Sequence, residues 1–370
     1  MNKTNPEIHG FSSIPIRENH AHLCFEKPID ETVDNFKNVL HHFNYSSINI
    51  NAVPASYSKT ENYQTIYCKS VLAPKIFASA GLEYALDSTD TAEEMLNQLK
   101  EYMSMGFDGM KMLDGKVSQY RITKYKLNDP LFSKFFEYAE ENEIPITLHV
   151  GDPERYWDYT KATQYTIEKG WIYSPDDPHI EELRNWVTDV LTRYPKLKLI
   201  LAHFYFMSND LDRAAKLFDT YENLCFDITP GGEMFVNFTN NYDESRSFFE
   251  KYQDRILYGT DMYNTFESIE KAESEVSGPR VFQARSMLEG RDEFYSKLIS
   301  ENPIKPFGFK GEILDKIYRK NFERLFGNTP KALDTERICA RIQRFIAQNK
   351  NLNETEAGNI KLIAEYFKNK

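Results

Sequence analysis

Eight short runs rich in Ile, Leu and Val constrain this chain most, because apolar segments of helical period separate several of them. The runs are Ile14 to His20, Ser47 to Asn51, Lys75 to Glu83, Gly109 to Leu113, Ile144 to Val150, Leu197 to His203, Asn223 to Thr229 and Arg255 to Asp261. Between them the period switches to 3.6. Val33, Phe36, Val39, Leu40 and Phe43 fit one helix face, and Met95, Leu96, Leu99, Tyr102 and Met103 another. Leu131, Phe132, Phe135, Phe136 and Ala139 form a third, and Leu211, Ala214, Ala215 and Phe218 a fourth. The segment Thr60 to Leu72 is the weakest unit, with a ragged apolar pattern. Strands alternating with helices predict βαβ units and a parallel sheet. Eight of them predict an α/β fold of the (β/α)₈ TIM-barrel type, whose site sits where the strands end. An open doubly wound sheet is the alternative, but no glycine-rich phosphate loop follows any strand.

Two stretches exceed the repeat. Gly151 to Asp177 is a long connection after the fifth run, the kind of loop that forms a lid or binding surface. Beyond Asp261, Gly311 to Phe326 reads as a helix capped by Gly327, with Thr335 to Gln348 and Glu354 to Phe367 as appended helices. The division expected is a barrel over 1–327 and a helical extension over 328–370 packed on it.

Charge narrows the partners. With 45 Lys and Arg against 56 Asp and Glu, the net charge is −11, which argues against nucleic acid. The mean hydropathy of −0.59 and the lack of a long apolar run argue against a membrane span. The first residues hold no apolar stretch of a signal peptide. Cys24, Cys68, Cys225 and Cys339 are scattered with no CxxC pair, as in a reduced cytoplasmic chain. The expected partner is a small-molecule substrate, with room for a homo-oligomer.

The sharpest chemical signal is His20-Ala21-His22. In a strand, residues i and i+2 point to the same side, so both imidazoles can face one point. Imidazole is a common neutral ligand for zinc and similar metals. Of the eight histidines, four lie at or near the predicted C-terminal ends of strands: His20, His22, His149 and His203. The eighth run ends in Asp261. A barrel brings all these ends to one face. His41 and His42 fall on or beside a polar helix face, and His9 and His179 in loops; these four read as surface residues. Cys24 reads as a small buried residue near the first strand. Lys111, inside the fourth run, could be carboxylated and bridge two metals, bind an anionic substrate group, or pair with Glu83 or Asp114.

A His-x-His on the first strand, His on the fifth and sixth and Asp on the eighth resemble the amidohydrolase superfamily. Leu201-Ala202-His203-Phe204, Leu257-Tyr258-Gly259-Thr260-Asp261 and the segment from Leu314 to Gly327 resemble its "amidohydrolase 2" branch. The resemblance spans roughly Ile14 to Gly327. It implies a metal-dependent TIM-barrel enzyme in which His20, His22, His149 and Asp261 hold a divalent metal. His203 then binds a second metal or orients the substrate. Zinc is the first expectation, with manganese, iron or nickel also suited to such ligands. The family holds hydrolases and non-oxidative decarboxylases; cleavage of a C–N or C–O bond is the first reading and decarboxylation the second. Asp261 and His203 are the expected catalytic pair, and Lys111, Glu83, Arg155 and Trp157 the expected substrate contacts.

Overall fold

A computed structural model describes residues 11–23, 27–54, 59–85, 89–162, 164–168, 170–230, 233–263, 277–296, 300–349 and 351–370. Its main sheet is all parallel. The strands are β1 Ile16–His22, β2 Tyr45–Asn51, β3 Ile76–Gly81, β4 Gly109–Gly115, β5 Ile146–Val150, β6 Leu199–Leu201, β7 Leu224–Asp227, β8 Ile256–Leu257 and β9 Met262–Tyr263. They run in sequence order from β8 back to β1, with β9 on the far side of β1. The segment joining β8 to β9 closes the ring, because Asn19 N–H donates to Tyr258 O at 3.1 Å and Asp261 N–H to His20 O at 2.8 Å. The fold is the TIM barrel. The expected eighth run, Arg255 to Asp261, thus holds only the short strand β8 on β7, and β9 follows beyond it on β1. Asp261 breaks the path between them, with φ of +56°.

The two ends of the barrel differ in chemistry. At the bottom, Phe77, Ile200, Cys225 and Leu257 turn inward and meet Phe322, Leu325 and Phe326 of the helix Asn321–Phe326. Phe77 and Phe322 pack edge-on at 4.9 Å, and the Arg17 guanidinium lies over both rings while its Nε pairs with Glu323 at 2.9 Å. Above this seal the interior turns polar. Asn19, Asn49, Asn51, Ser79, Lys111, Thr147 and Asp227 are all buried there. Backbone carbonyls and neighbouring amides satisfy much of this layer: Asn51 Nδ2 donates to Asn19 O at 2.8 Å and Ser79 Oγ to Asn49 Oδ1 at 3.1 Å.

The helix Glu61–Val71 explains its ragged pattern. Residues 61 to 70 are all buried, so no polar stripe is left to reveal a period. The extension covers it. Phe345 of the helix Thr335–Gln348 packs on Tyr63 at 4.6 Å, and Tyr366 of the helix Glu354–Lys368 on Tyr67 at 4.9 Å. A buried ion pair anchors the turn into this extension. Lys69 Nζ lies 2.6 Å from Asp108 Oδ2, whose carboxylate also accepts the amides of Ala78 and Lys331.

Removing one member of such a pair strands a buried charge. Lys69→Met should lower the unfolding free energy by about 3–5 kcal/mol. The measurement is the urea midpoint at an unchanged slope. A loss below about 1 kcal/mol would mean that its two amide donors alone satisfy Asp108.

Candidate metal centre

β1 carries a bulge between Glu18 and Ala21, seen as a register shift against β2. A bulge adds a residue and re-aims the side chains around it. Asn19 and His20 consequently reach the same carboxylate: Asn19 Nδ2 lies 3.3 Å and His20 Nδ1 2.9 Å from Asp227 Oδ2. Gly259 makes room for this crossing, since a Cβ there would lie 2.6 Å from Thr229 Oγ1 and 3.1 Å from His20 Cβ. Glu18 fastens β1 to the closing segment. Its Oε1 accepts the amides of His20 (2.8 Å) and Thr260 (3.0 Å), and its Oε2 accepts the Thr260 hydroxyl at 2.9 Å.

The histidine tautomers follow from the partners of each Nδ1. His20 Nδ1–H donates to the Asp227 carboxylate, and His22 Nδ1–H donates to Asn51 O at 2.7 Å. A neutral imidazole with its proton at Nδ1 keeps the lone pair at Nε2. The two Nε2 atoms stand 3.1 Å apart, so both lone pairs converge on one point. Asp261 Oδ1 lies 3.4 Å from His22 Nε2 and 3.8 Å from His20 Nε2. These three residues place ligand atoms within 4.8 Å of one another, as a bound cation requires.

His203 and His149 form a second pair. β6 ends at Leu201, and the four residues His203 to Phe206 all have positive φ, between 47° and 56°. This left-handed turn is strained for residues bearing side chains. It is held by the His203 amide on Asp227 Oδ1 at 2.9 Å and by Arg184 Nη2 on Phe206 O at 3.0 Å. His203 Nδ1–H faces Thr229 O at 3.3 Å, leaving Nε2 to accept from His149 Nδ1–H at 3.2 Å. His149 Nε2 is then the lone-pair nitrogen. Among the described residues it is buried without a hydrogen-bond partner, 3.7 Å from Asp152 Oδ1. The donor set that fits a divalent metal is thus His20, His22 and Asp261; the expected ligands His149 and His203 stand beside this group but outside it. His203 fixes His149 in this arrangement.

Electrostatics agree with neutral ligands. Burial holds His22 and His149 well below the usual histidine range and lowers His203 to about 4. Burial pushes Asp261 upward, but Arg280 and the histidines outweigh it and hold the carboxyl well below its ordinary range. Arg280 grips Asp261 from the helix Ser277–Glu289, 2.5 Å from Oδ2 and 2.6 Å from the carbonyl. Asp227 is drawn to about 2 by His20 and His203 despite its burial.

One cavity of about 510 Å³ joins these groups. His22, His149, His203, Lys111 and Asp261 line its floor, and Lys116, Arg155, Tyr156, Tyr263 and Arg280 its walls. Lys111 Nζ donates to His20 Nε2 at 2.9 Å. The long connection after β5 folds over this mouth in short turns and bears Arg155 and Tyr156.

Two expected substrate contacts lie elsewhere. Glu83 is turned away, accepting from Tyr102 Oη at 2.8 Å and pairing with Arg341 of the extension at 2.8 Å. An arginine outside the barrel repeat claims it. Trp157 lines a neighbouring cavity, with its Nε1–H on Pro178 O at 3.1 Å and its ring against Tyr173. Asp114 accepts from Tyr84 Oη at 2.6 Å and is no partner of Lys111. His42, expected at the surface, is buried beside Phe43. His9 and Cys24 lie outside the described residues. Asp227, Arg280 and Glu18 escaped the sequence reading. A charged residue inside the apolar run Leu224-Cys225-Phe226-Asp227-Ile228 was the available signal for the first.

The sequence profile described as amidohydrolase matches residues 71–327, a span that holds Lys111, His149, His203 and Asp261 but leaves β1 outside. No curated protein matches. An uncharacterised TIM-barrel protein from Bordetella bronchiseptica is 14% identical at a TM-score of 0.52, over 84% of this chain and 98% of that one. IDCase from Metarhizium anisopliae, solved in apo form, is 13% identical at 0.52, over 84% and 97%. A 2,6-dihydroxybenzoate decarboxylase from Rhizobium is 16% identical at 0.48, over 84% and 98%. At these identities the likeness is one of fold.

Partners that orient a metal-binding imidazole matter about as much as the ligands. Asp227→Asn should weaken metal binding about 10- to 100-fold. Equilibrium dialysis against Zn²⁺ or Mn²⁺ reads this directly, and an unchanged affinity would remove Asp227 from the centre.

Proposed function

The chain belongs to the amidohydrolase family, and from that premise we propose that it is a metal-dependent hydrolase cleaving a C–N or C–O bond of a small, carboxylate-bearing substrate. The observation that carries this reading is the state of Asp261. Arg280 occupies Oδ2, while Oδ1 faces the histidine cluster. A carboxylate that Arg280 and the histidines keep ionised carries no proton of its own to give and has a lone pair at Oδ1 to receive one. Hydrolysis needs an acceptor for the proton of the attacking water; decarboxylation needs a donor to carbon.

His20, His22, His149 and Asp261 are the residues that would hold the metal. When bound, a divalent cation supplies the positive charge that acidifies a water and polarises a substrate carbonyl. Neutral imidazoles with one carboxylate suit zinc first, and manganese, iron or nickel after it. Asp261 Oδ1 takes the proton from the attacking water and returns it to the leaving group. His203 holds His149 in position through Nε2. Lys111, Lys116 and Arg155 offer cationic anchors to a substrate carboxylate, and Tyr156 an aromatic wall.

Those anchors also favour a second reading, non-oxidative decarboxylation of a small carboxylic acid, because a carboxylate is then the reacting group. No helix among the described residues is long and apolar enough to cross a membrane. The described cysteines Cys68, Cys225 and Cys339 are free thiols, in keeping with a cytoplasmic enzyme.

Turnover of carboxylate-bearing amides, esters and lactones should release an amine or alcohol together with an acid, identified by mass spectrometry. Carbon dioxide as the product would transfer the assignment to the second reading. Asp261→Asn should slow turnover by roughly 10²–10⁴-fold, and a near-normal rate would place the base elsewhere.

A further inference from the structure

Lys111 and the histidine cluster make incompatible demands on one atom. Lys111 Nζ donates to His20 Nε2 at 2.9 Å, and that is the lone pair a metal at His20 and His22 must take. A divalent cation there would also repel the ammonium. Lys111 lies buried at the cavity floor, so leaving His20 calls for another partner close by.

The fold keeps an alternative partner close by. Lys111 of β4 stands beside Gly81 of β3 in the sheet register. Gly81 is clasped by Asn62, whose Oδ1 accepts the Gly81 amide at 2.9 Å and whose Nδ2 donates to its carbonyl at 2.8 Å. The residue before Asn62 is Glu61. It is 1% exposed, and among the described residues no side chain hydrogen-bonds to its carboxylate, which only the backbone amide of Val53 approaches. Its neighbourhood is the cavity wall: the backbone amide of Val53 lies near it, Val53 lines the cavity with Lys111, and the Val53 carbonyl packs so tightly on Gly81 that a Cβ there would lie 2.4 Å from it. Burial dominates the charge state of both groups, yet each also feels the other's charge. A fully buried carboxyl met by no more than one backbone amide is costly unless some state of the protein gives it a further partner.

We propose that Glu61 is a positioning residue that receives the Lys111 ammonium when a divalent cation occupies the His20–His22 cluster. In the metal-free arrangement Lys111 holds the cluster together as an internal cation. With metal in place Lys111 moves from His20 to Glu61 and stays in the cavity wall, where it can meet a substrate carboxylate. The inference rests on the metal centre described above.

The test is the affinity for Zn²⁺ and for Mn²⁺ of the full chain, measured by competition with a chromophoric chelator. The variants are Lys111→Met, Glu61→Gln and the double variant, with His22→Ala in the same series. Lys111→Met removes the competitor and should bind metal about tenfold more tightly. Glu61→Gln removes the receiving charge and should bind about tenfold more weakly. In the Lys111→Met background the Glu61→Gln change should have no effect, which a purely structural role for Glu61 would not produce. Unchanged or weaker binding by Lys111→Met, or equal weakening by Glu61→Gln in both backgrounds, overturns the proposal. Lys111→Met decides alone if Glu61→Gln does not fold. Undiminished binding by His22→Ala would instead sink the metal centre itself, so the two failures are separable.

Discussion

One buried carboxylate, Asp227, ties the site to the barrel. Its Oδ2 accepts from Asn19 and His20 of β1, and its Oδ1 accepts the amides of His203 (2.9 Å) and Thr229 (3.1 Å). Three segments far apart in sequence therefore meet on a single side chain that has no exposure to water. In a low-dielectric interior such hydrogen bonds are strong, and a lost one is expensive. The tautomer of His20, the bulge in β1 and the left-handed turn at His203 all depend on it. The convergence of lone pairs at the barrel mouth is thus a consequence of how Asp227 is shared.

The cavity above inverts the charge of the protein around it. The chain carries −11, yet Lys111, Lys116, Arg155 and Arg280 face the cavity. They are matched unequally. Arg280 sits 2.5 Å from Asp261 and Lys116 3.1 Å from Asp152, whereas Arg155 approaches Glu233 only to 3.8 Å. An anion entering this space gains most from the cations least committed. That singles out Arg155, on the connection over the mouth, above Lys111 on the floor. Asp152 links these two levels, pairing with Lys116, accepting from Tyr173 Oη and lying 3.7 Å from His149 Nε2. The covering loop is thereby fastened to the wall of the metal centre itself.

The barrel and the convergence of His20, His22, His149, His203 and Asp261 were legible because both rest on periodicity. Alternating βα units dictate a parallel barrel, and a barrel collects its strand ends. What periodicity does not encode was missed. The bulge in β1 is a local departure from alternation, and no residue type announced it. The helix Glu61–Val71 is buried on every side by an extension remote in sequence, so its pattern carried no period. Glu83 and Trp157 sit near strand ends or in the covering loop, as a substrate contact would. Their partners, Arg341 and Pro178, were not predictable from spacing. Arg280 lies beyond the last strand, where the barrel repeat offers no register for placing a side chain.

The turn at His203 to Phe206 shows how the two halves of the design are coupled. Left-handed backbone costs roughly 1–2 kcal/mol per residue for residues with a Cβ. Such a turn persists only where its surroundings over-determine it. Phe204 supplies that constraint. It is fully buried and packs on Phe238 at 4.9 Å, Phe226 at 5.4 Å and Phe249 at 5.6 Å. The same turn that inserts Phe204 into this aromatic cluster points His203 the other way, toward His149. Apolar burial beneath the turn thus offsets the strain, and the strain sets the direction of the imidazole. The stability of the aromatic layer and the geometry of the metal centre are consequently set by one backbone conformation. A change that relaxed the turn would release both.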